Sequence, residues 1–112
     1  MAPTYVRRFD LKDSLSDSDV AGFWRFLTQE FIPAIQKSSG IRAIKLYSGA
    51  GALRADIRLV IDMDHAGVYE TLLRDPGVSS GLGRFYGAID LKTSSQTFLR
   101  ELTPDLLKAL GA

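Results

Sequence analysis

Two residue types with distinctive chemistry are nearly missing from this chain, which has no cysteine and only one histidine among its 112 residues. Without cysteine, disulfide bonds, thiolate metal ligands and a cysteine nucleophile are all excluded. No apolar run reaches the about 20 residues that a membrane-spanning helix requires, and residues 1–10 contain no apolar stretch typical of a signal peptide. We therefore expect a cytoplasmic protein that does not enter a membrane.

An excess of charge of one sign is also missing, because 14 basic residues face 13 acidic ones and the formal net charge is +1. Proteins that bind nucleic acid through bulk electrostatics usually carry a clear basic excess, so nucleic acid is not an expected partner. Hydrophobic residues make up 46% of the chain, which is ordinary for a globular protein with a core. The length predicts one domain over residues 1–112.

The first 40 residues predict a strand followed by a long helix. Residues 4–12 alternate between apolar and polar side chains, except that Arg7 interrupts the apolar side. The helix is predicted over 16–40, with Ser16 as its N-cap and Gly40 as its left-handed stop. Pro33 has no backbone N–H to donate, so we expect a kink or a break near residue 30.

This helix is rich in aromatic residues. At 100° per residue, one apolar stripe collects most of the large side chains and is predicted to face the core. Helical spacing favours core packing for the aromatic residues, but Phe23 and Phe26 lie off the stripe and could instead line a pocket or meet a partner subunit. The stripe consists of Val20, Trp24, Leu27, Phe31, Ala34 and Ile35.

The remainder of the chain predicts a hairpin, a helix, a strand and a short terminal helix. Strands over 41–48 and 53–64 are joined by a glycine turn at 49–52. A helix is expected from Asp64 or His65 to the break at 75–77, and a loose or briefly helical segment follows over 78–87. A last strand is expected within 88–102, and Thr103 caps a helical extension over 103–112.

The predicted order is strand, long helix, strand, strand, helix, strand. This is the split βαβ order of a ferredoxin-like α+β fold, an antiparallel sheet with helices on one face. With the hairpin "IRAIKLYSGAGALRADIRLVIDMD" and the C-terminal extension, it resembles the dimeric α+β barrel superfamily, which includes antibiotic-biosynthesis monooxygenase-like and stress-responsive barrel proteins. The resemblance implies a homodimer in which the open sheet faces of two subunits enclose a barrel.

Charges of both signs are predicted on the open face of the sheet. Two such faces could join through complementary charges around a polar cavity, or each face could remain solvated, since exposed ion pairs contribute little to stability. The predicted face carries Arg8, Asp10, Arg54, Asp56, Arg58, Asp62, Asp90 and Lys92.

The single histidine, His65, is the candidate catalytic residue, because histidine titrates near neutral pH and can act as a general acid or base. Asp62 and Asp64 lie beside it, but residues of one strand do not converge as metal ligands must, so no metal is expected. We interpret Asp64 as the N-cap of the following helix.

Four further residues are candidate ligand contacts: Arg58 and Tyr47 on the hairpin, and Arg84 and Tyr86 in segment 78–87, interpreted as a mobile lid. Some relatives in the superfamily degrade haem with an asparagine, a tryptophan and a histidine, and this chain contains no asparagine. Other relatives oxidise aromatic polyketides without a cofactor, but no motif of theirs can be matched. The resemblance thus implies no cofactor and transfers no catalytic residue.

Two classes of function remain open. The first is a small-molecule binder or a cofactor-independent, monooxygenase-like enzyme. The second is a non-catalytic module for protein interaction or regulation. An RNA-recognition domain has the same strand order but stacks bases on aromatic residues of its sheet, and residues 54–60 offer none. The expected partners are therefore a second copy of the chain and a small-molecule ligand.

Overall fold

A computed structural model describes residues 2–49 and 53–111. Its strands have the order β2-β3-β1-β4, every neighbouring pair is antiparallel, and the helices cover one face. This is the ferredoxin-like arrangement that the sequence predicts. The elements are β1 Thr4–Phe9, α1 Asp17–Phe26, a π-helical segment Leu27–Phe31, α2 Ile32–Gln36, β2 Ile41–Ser48, β3 Ile57–Met63, α3 Gly67–Arg74, α4 Pro76–Ala88, β4 Ser95–Leu99 and α5 Pro104–Ala109.

Alternation along the two central strands positions the core. Side chains with one parity on β1 and β3 are buried against the helices, and those with the other parity lie on the open face. Because β1 and β3 pair directly, their buried side chains form one layer under the helices, apolar except for Arg7. The layer contains Tyr5, Phe9, Ile57, Leu59, Ile61 and Met63.

The predicted N-cap of the long helix and its interruption are confirmed, but the helix ends at Gln36, before Gly40. The Ser16 hydroxyl accepts from the Asp19 N–H at 3.1 Å, and the Asp19 carboxylate accepts from the Ser16 N–H at 3.2 Å. The π-helical segment lies directly before Pro33, where the ordinary helical hydrogen bond is lost. Gly40 has φ 87°, and a Cβ at this position would lie 2.5 Å from Cγ2 of Val68.

Phe23 and Phe26 pack in the core, as their helical spacing favours, although each also borders a shallow groove. Both are 4% exposed and belong to the core. Phe85 of α4 lies 6.1 Å from the Phe23 ring, and Phe31 stacks on Phe26 at 5.4 Å. Helix α1 is therefore covered on a second side by α4, which the periodicity of α1 alone could not predict.

Segment 78–87 is not a loose lid, because it forms most of the regular helix α4. Asp75 caps this helix by accepting from the N–H groups of Gly77 and Val78 at 2.9 and 3.3 Å. Gly81 permits close packing, since a Cβ there would lie 2.7 Å from Cδ1 of Phe31. The apolar side chains of α4 thus anchor it to the core.

The hairpin of β2 and β3 is confirmed, with Tyr47 opposite Arg58, but β3 begins at Ile57 instead of residue 53. Asp56 before it has φ 50°. Most of the predicted turn at 49–52 lies outside the described residues. Arg54 is not on the open face, because its Nη2 donates to Asp17 Oδ1 at 2.6 Å beside α1.

The last strand is shorter than predicted. Residues 90–93 form a turn in which the Asp90 carboxylate accepts from the Lys92 N–H at 3.0 Å, so neither residue belongs to a strand on the open face. A local hydrogen bond of this kind competes with sheet pairing. Only Ser95–Leu99 pairs with β1.

The C-terminal arm, defined here as residues 100–111, extends away from the core. Its helix α5 has the predicted Thr103 cap, which accepts from the Leu106 N–H at 3.1 Å, but none of the residues of α5 is buried. The chain measures 53 × 32 × 21 Å, with a radius of gyration of 15.6 Å. A compact chain of this length would have a radius of gyration of about 13 Å. Over 2–49 and 53–111, no helix is long and apolar enough to cross a membrane.

Candidate functional site

A small cavity lies between the sheet and helices α3 and α4. Its volume is about 40 Å³, and its wall is formed by β1, β3, the π-helical segment, α2, α3 and α4. Most lining side chains are aliphatic or phenylalanine. The polar groups of the wall belong to Tyr5, Arg7, Tyr69 and Tyr86. We call this the sheet–helix cavity.

Arg7 places a charged group in this apolar wall. It pairs with Leu59 on one side and Gln96 on the other, so strand alternation directs it toward the helices. It is 8% exposed, and its Nε has no hydrogen-bond partner. Within the described ranges, no carboxylate forms an ion pair with it. Arg7 is therefore a buried cation without a counter-charge.

Two tyrosine hydroxyls meet beside Arg7 on one acceptor. Tyr5 donates to Oε1 of Gln96 at 3.0 Å, and Tyr69 donates to the same oxygen at 3.1 Å. The two rings pack edge to face, with centroids 5.0 Å apart, and Phe98 packs against both. Strand β4 thus contacts both tyrosines through Gln96 and Phe98.

Burial raises the pKa of Tyr5 well above its usual value, the neighbouring Tyr69 adds to the shift, and the positive charge of Arg7 opposes it. Tyr5 is therefore neutral at physiological pH. Because a neutral hydroxyl provides no counter-charge, the tyrosine pair leaves the charge of Arg7 uncompensated.

The other side of the Arg7 guanidinium faces Tyr86 of α4. The guanidinium carbon lies 5.4 Å from the Tyr86 ring centroid, a distance that permits a cation–π interaction. A planar guanidinium supported on an aromatic face can present its edge to a carboxylate, a phenolate or an enolate. The arrangement is suited to holding an oxygen anion next to an apolar or aromatic body.

A second, shallow groove of about 490 Å³ lies on the open face of the sheet. Tyr47 and Arg58 line it beside Val6, Val60 and Leu99. The groove combines apolar side chains with one arginine and lies open on the sheet surface. It therefore resembles a surface patch more than an enclosed ligand site.

Beside this groove lies an ion-pair network. Arg8 donates to Asp10 at 3.0 Å, to Asp56 at 3.2 Å and to the Thr93 carbonyl at 2.9 Å. Arg58 reaches the same Asp56 at 3.3 Å. The Asp56 backbone N–H, which donates to Asp10 at 2.7 Å, is the largest cause that lowers the pKa of Asp10, and Arg8 contributes further. The charges of this network compensate one another.

The structure does not bring the five candidate site residues together. Tyr47 and Arg58 lie on the open face, whereas Tyr86 lines the sheet–helix cavity. Arg84 lies outside that cavity, stacked 4.7 Å from the Phe26 ring centroid and 3.5 Å from the Glu30 carboxylate. The roles assigned to these four residues in ligand binding stay predictions.

His65 is exposed in the turn between β3 and α3, and it lines neither the cavity nor the groove. The predicted cap by Asp64 is wrong, because α3 begins at Gly67 without a side-chain cap. Asp64 instead lies 3.6 Å from Arg42, and Asp62 accepts from the Thr4 hydroxyl at 2.6 Å. No three metal-ligating side chains cluster in the part of the chain that the structure describes. A catalytic role for His65 stays a prediction.

Sequence reasoning missed Arg7, Tyr5, Tyr69 and Gln96 as site residues. A signal was present in Arg7, because a charge on the apolar side of an alternating strand has to be buried or to break the strand. Tyr5 lies on the apolar side of the alternating strand, so the sequence predicts an ordinary core residue at this position. Nothing local marks Tyr69 or Gln96, since their meeting depends on the packing of α3 against β4.

No protein-family model matches this chain, and no curated protein matches it in sequence. Solved structures do match its fold. SnoaB from Streptomyces nogalater, a cofactor-independent oxygenase, has a TM-score of 0.68 at 12% identity, and the match covers 92% of this chain and 97% of SnoaB. A dimeric ferredoxin-like protein of unknown function from Thermobifida fusca has a TM-score of 0.70 at 14% identity, with 90% and 92% covered.

A third structure, from Bacteroides thetaiotaomicron, is named provisionally as an antibiotic biosynthesis monooxygenase. Its TM-score is 0.70 at 8% identity, and the match covers 92% of this chain and 91% of that one. Identities this low establish the fold alone. The resemblance to ferredoxin-like dimeric and monooxygenase-like proteins is thereby confirmed as a resemblance of fold.

Proposed function

We propose that this protein binds a small, largely apolar molecule in the sheet–helix cavity. The supporting observation is the wall itself, in which aliphatic and aromatic side chains surround one buried charged group. Small-molecule sites combine apolar surface for affinity with a few polar groups for orientation. The groove on the open face offers no such enclosure.

The cavity is smaller than the roughly 300–1,000 Å³ of ligand-filled pockets, so a ligand has to displace part of the wall. Leu82 and Tyr86 of α4 are half-buried and line the outer side. Leu73 of α3 is 38% exposed beside them. Rotation of these side chains would enlarge the cavity without disturbing the buried layer of the sheet.

For the chemistry of this cavity we propose oxidation of the kind carried out by cofactor-independent oxygenases, the class in which SnoaB is placed. In such a reaction the substrate itself reduces O₂. An activated CH₂ group loses both hydrogens and becomes a carbonyl, one oxygen atom enters the product and the other leaves as water. The electrons balance without a flavin or a metal, provided that the substrate ionises readily to a phenolate or enolate.

The test is oxygen uptake with a polycyclic phenol that carries an activated methylene group. The protein should consume O₂ and form the quinone faster than buffer alone. Leu82→Trp fills the cavity and should abolish the reaction, whereas Ser79→Trp on the exposed side of α4 is the matched control and should not. Equal rates in both variants would place any reaction outside the cavity. Substitution of His65 by Gln in the same assay tests its predicted role.

We also propose that two copies associate through the open sheet face. The apolar patch of Val6, Val60 and Leu99 lies at its centre, with the Arg8 and Arg58 network beside it. The Thermobifida fusca protein of the same fold is dimeric. Val60→Glu should yield monomers in sedimentation velocity, while Ser79→Glu on α4 should not. A wild-type monomer at micromolar concentration would contradict this proposal.

The second candidate function is a non-catalytic interaction module, and the observation that favours it is the C-terminal arm. Leu102, Leu107 and Leu110 of the arm are exposed, and Leu110 reaches 69%. An apolar helix without a buried residue is typical of a segment that docks on another surface. If no small molecule perturbs the cavity and Leu107→Glu leaves self-association intact, this function becomes the better account.

A further inference from the structure

We propose that the sheet–helix cavity recognises an aromatic anion, a carboxylate or a phenolate, and that Arg7 is the residue that binds its charged oxygen. This inference rests on the proposed function, because the cavity has to admit a ligand. It goes further in assigning the charge of that ligand and the residue that selects it.

The first step is the cost of the buried charge. Arginine keeps its charge in proteins, and taking an unpaired charge out of water is strongly unfavourable. Buried polar atoms almost always have hydrogen-bond partners, so a buried Nε without one calls for an explanation. A methionine would fill the same space in the apolar layer between Leu59 and the helices without this cost. The neighbours that offset part of this cost are the face of the Tyr86 ring and the Tyr5 hydroxyl, and neither carries a negative charge.

The second step is that the neighbours of Arg7 do not neutralise it. Both tyrosine hydroxyls beside it donate to Gln96, an uncharged acceptor, and the Tyr5 hydroxyl that contacts Arg7 is neutral. Tyr86 offers only the face of its ring. Arg8, in contrast, donates hydrogen bonds to two carboxylates and a backbone carbonyl of this chain. The missing partner of Arg7 is an anion from outside the chain.

The third step concerns the shape of that anion. The free volume of the cavity, whose wall includes Arg7, is about 40 Å³, which accommodates a carboxylate or a phenolate oxygen but no larger polar group. The surrounding side chains are aromatic and aliphatic, which favours an aromatic body attached to the charged oxygen. Cations are excluded by like charge. Neutral molecules of the same shape lose the charge-assisted hydrogen bond, which corresponds to about 10- to 100-fold in affinity.

The experiment compares three ligands that share one ring and differ in charge: benzoate, benzyl alcohol and benzylammonium. Each is titrated at pH 7 into ¹⁵N-labelled protein, and the Arg7 Nε–H signal and the cavity-lining amides are followed by NMR. We expect benzoate to bind about 10- to 100-fold more tightly than benzyl alcohol and to shift the Nε–H signal, with no binding of benzylammonium.

Variants connect the preference to Arg7. Arg7→Met should remove the advantage of benzoate over benzyl alcohol while the protein remains folded and at least as stable as the wild type. Arg7→Lys keeps the charge and should retain a reduced preference. Arg25→Met, exposed on α1 and outside the cavity wall, is the matched control and should behave like the wild type.

Each other outcome has a distinct meaning. If no probe perturbs the cavity amides, the proposed function itself fails. If benzyl alcohol binds as tightly as benzoate, the cavity is a ligand site but the assignment of an anion is wrong. If Arg25→Met also removes the preference, the effect is not specific to Arg7 and the assignment of Arg7 is wrong. If Arg7→Met does not fold, Arg7 has a structural role and the argument from the uncompensated charge is wrong.

Discussion

Arg7 and Arg8 are neighbours in β1, yet the sheet gives them opposite environments. Arg8 lies on the open face, half in solvent, and each of its hydrogen bonds reaches a carboxylate or a carbonyl. Arg7 lies under the helices, more deeply buried, and its Nε bonds to nothing. A charge that the chain compensates stabilises the fold, whereas a buried charge left uncompensated is available to a ligand. The predictions below test this difference.

The largest loss of stability is expected from a substitution at the centre of the ion-pair network on the open face. Asp56→Ala removes the carboxylate shared by Arg8 and Arg58, and alanine at φ 50° adds backbone strain. The free energy of unfolding should fall by about 2–3 kcal/mol in urea denaturation. Asp56→Asn is the matched control, because asparagine tolerates this conformation, and it should cost about half as much. Equal losses in the two variants would mean that the strain contributes nothing.

The direct comparison of the two arginines comes next. Arg8→Met leaves Asp10 and Asp56 without a cation and should lower the free energy of unfolding by about 1–2 kcal/mol, since the network is partly exposed. Arg7→Met should leave stability unchanged or raise it. Urea denaturation of both variants at pH 7 measures the difference. A larger decrease in the free energy of unfolding for Arg7→Met than for Arg8→Met would contradict this difference.

A smaller effect is expected from Tyr5→Phe, which removes one of the two donors to Gln96 and should cost about 0.5–1.5 kcal/mol near neutral pH. The pKa of folded Tyr5 is raised, so above about pH 10 the unfolded chain releases this proton and the folded chain does not. Wild-type stability should therefore decline as pH rises beyond 10, and the variant should decline less. Parallel curves at pH 8 and 11 would contradict the shift.

The smallest effect on the free energy of unfolding is expected from Asp10, at acid pH. The pKa of folded Asp10 lies below the unfolded value of about 3.9, so its carboxylate stabilises the fold above that pH. This contribution is lost as pH falls through the folded value. The free energy of unfolding of Asp10→Asn should consequently depend less on pH than that of the wild type between pH 5 and 2. Acid titration followed by circular dichroism tests this.

What the sequence predicts well depends on local chemistry. Ser16 and Asp19 satisfy each other within one turn, Pro33 lacks its N–H in any context, and Gly40 adopts a conformation that few other residues tolerate. These features are encoded within a few residues, and alternation along β1 and β3 then fixes the layers of the fold. The strand order follows from these elements.

What the sequence could not predict depends on distant parts of the chain. Helix α4 is rich in glycine and serine, and packing of Phe85 and Gly81 against the long helix overrides their low propensity. Strand β3 begins only after Asp56, which has φ 50°, and Arg54 before it pairs with the distant Asp17 of α1. The site was missed for the same reason, because Tyr5, Tyr69 and Gln96 come from three elements that meet only in the folded chain.

The π-helical segment Leu27–Phe31 has a consequence for insertions and deletions. A single π-turn contains one residue more than the α-helical turn that it replaces, and Thr28, Gln29 and Glu30 in it are exposed. Deleting Gln29 would convert the segment into ordinary helix while Phe26 and Ile35 keep their buried faces. A deletion anywhere within α1 would instead rotate every preceding side chain by about 100° relative to the core. Chains of this fold that differ in length by one residue can therefore accommodate the difference at this turn.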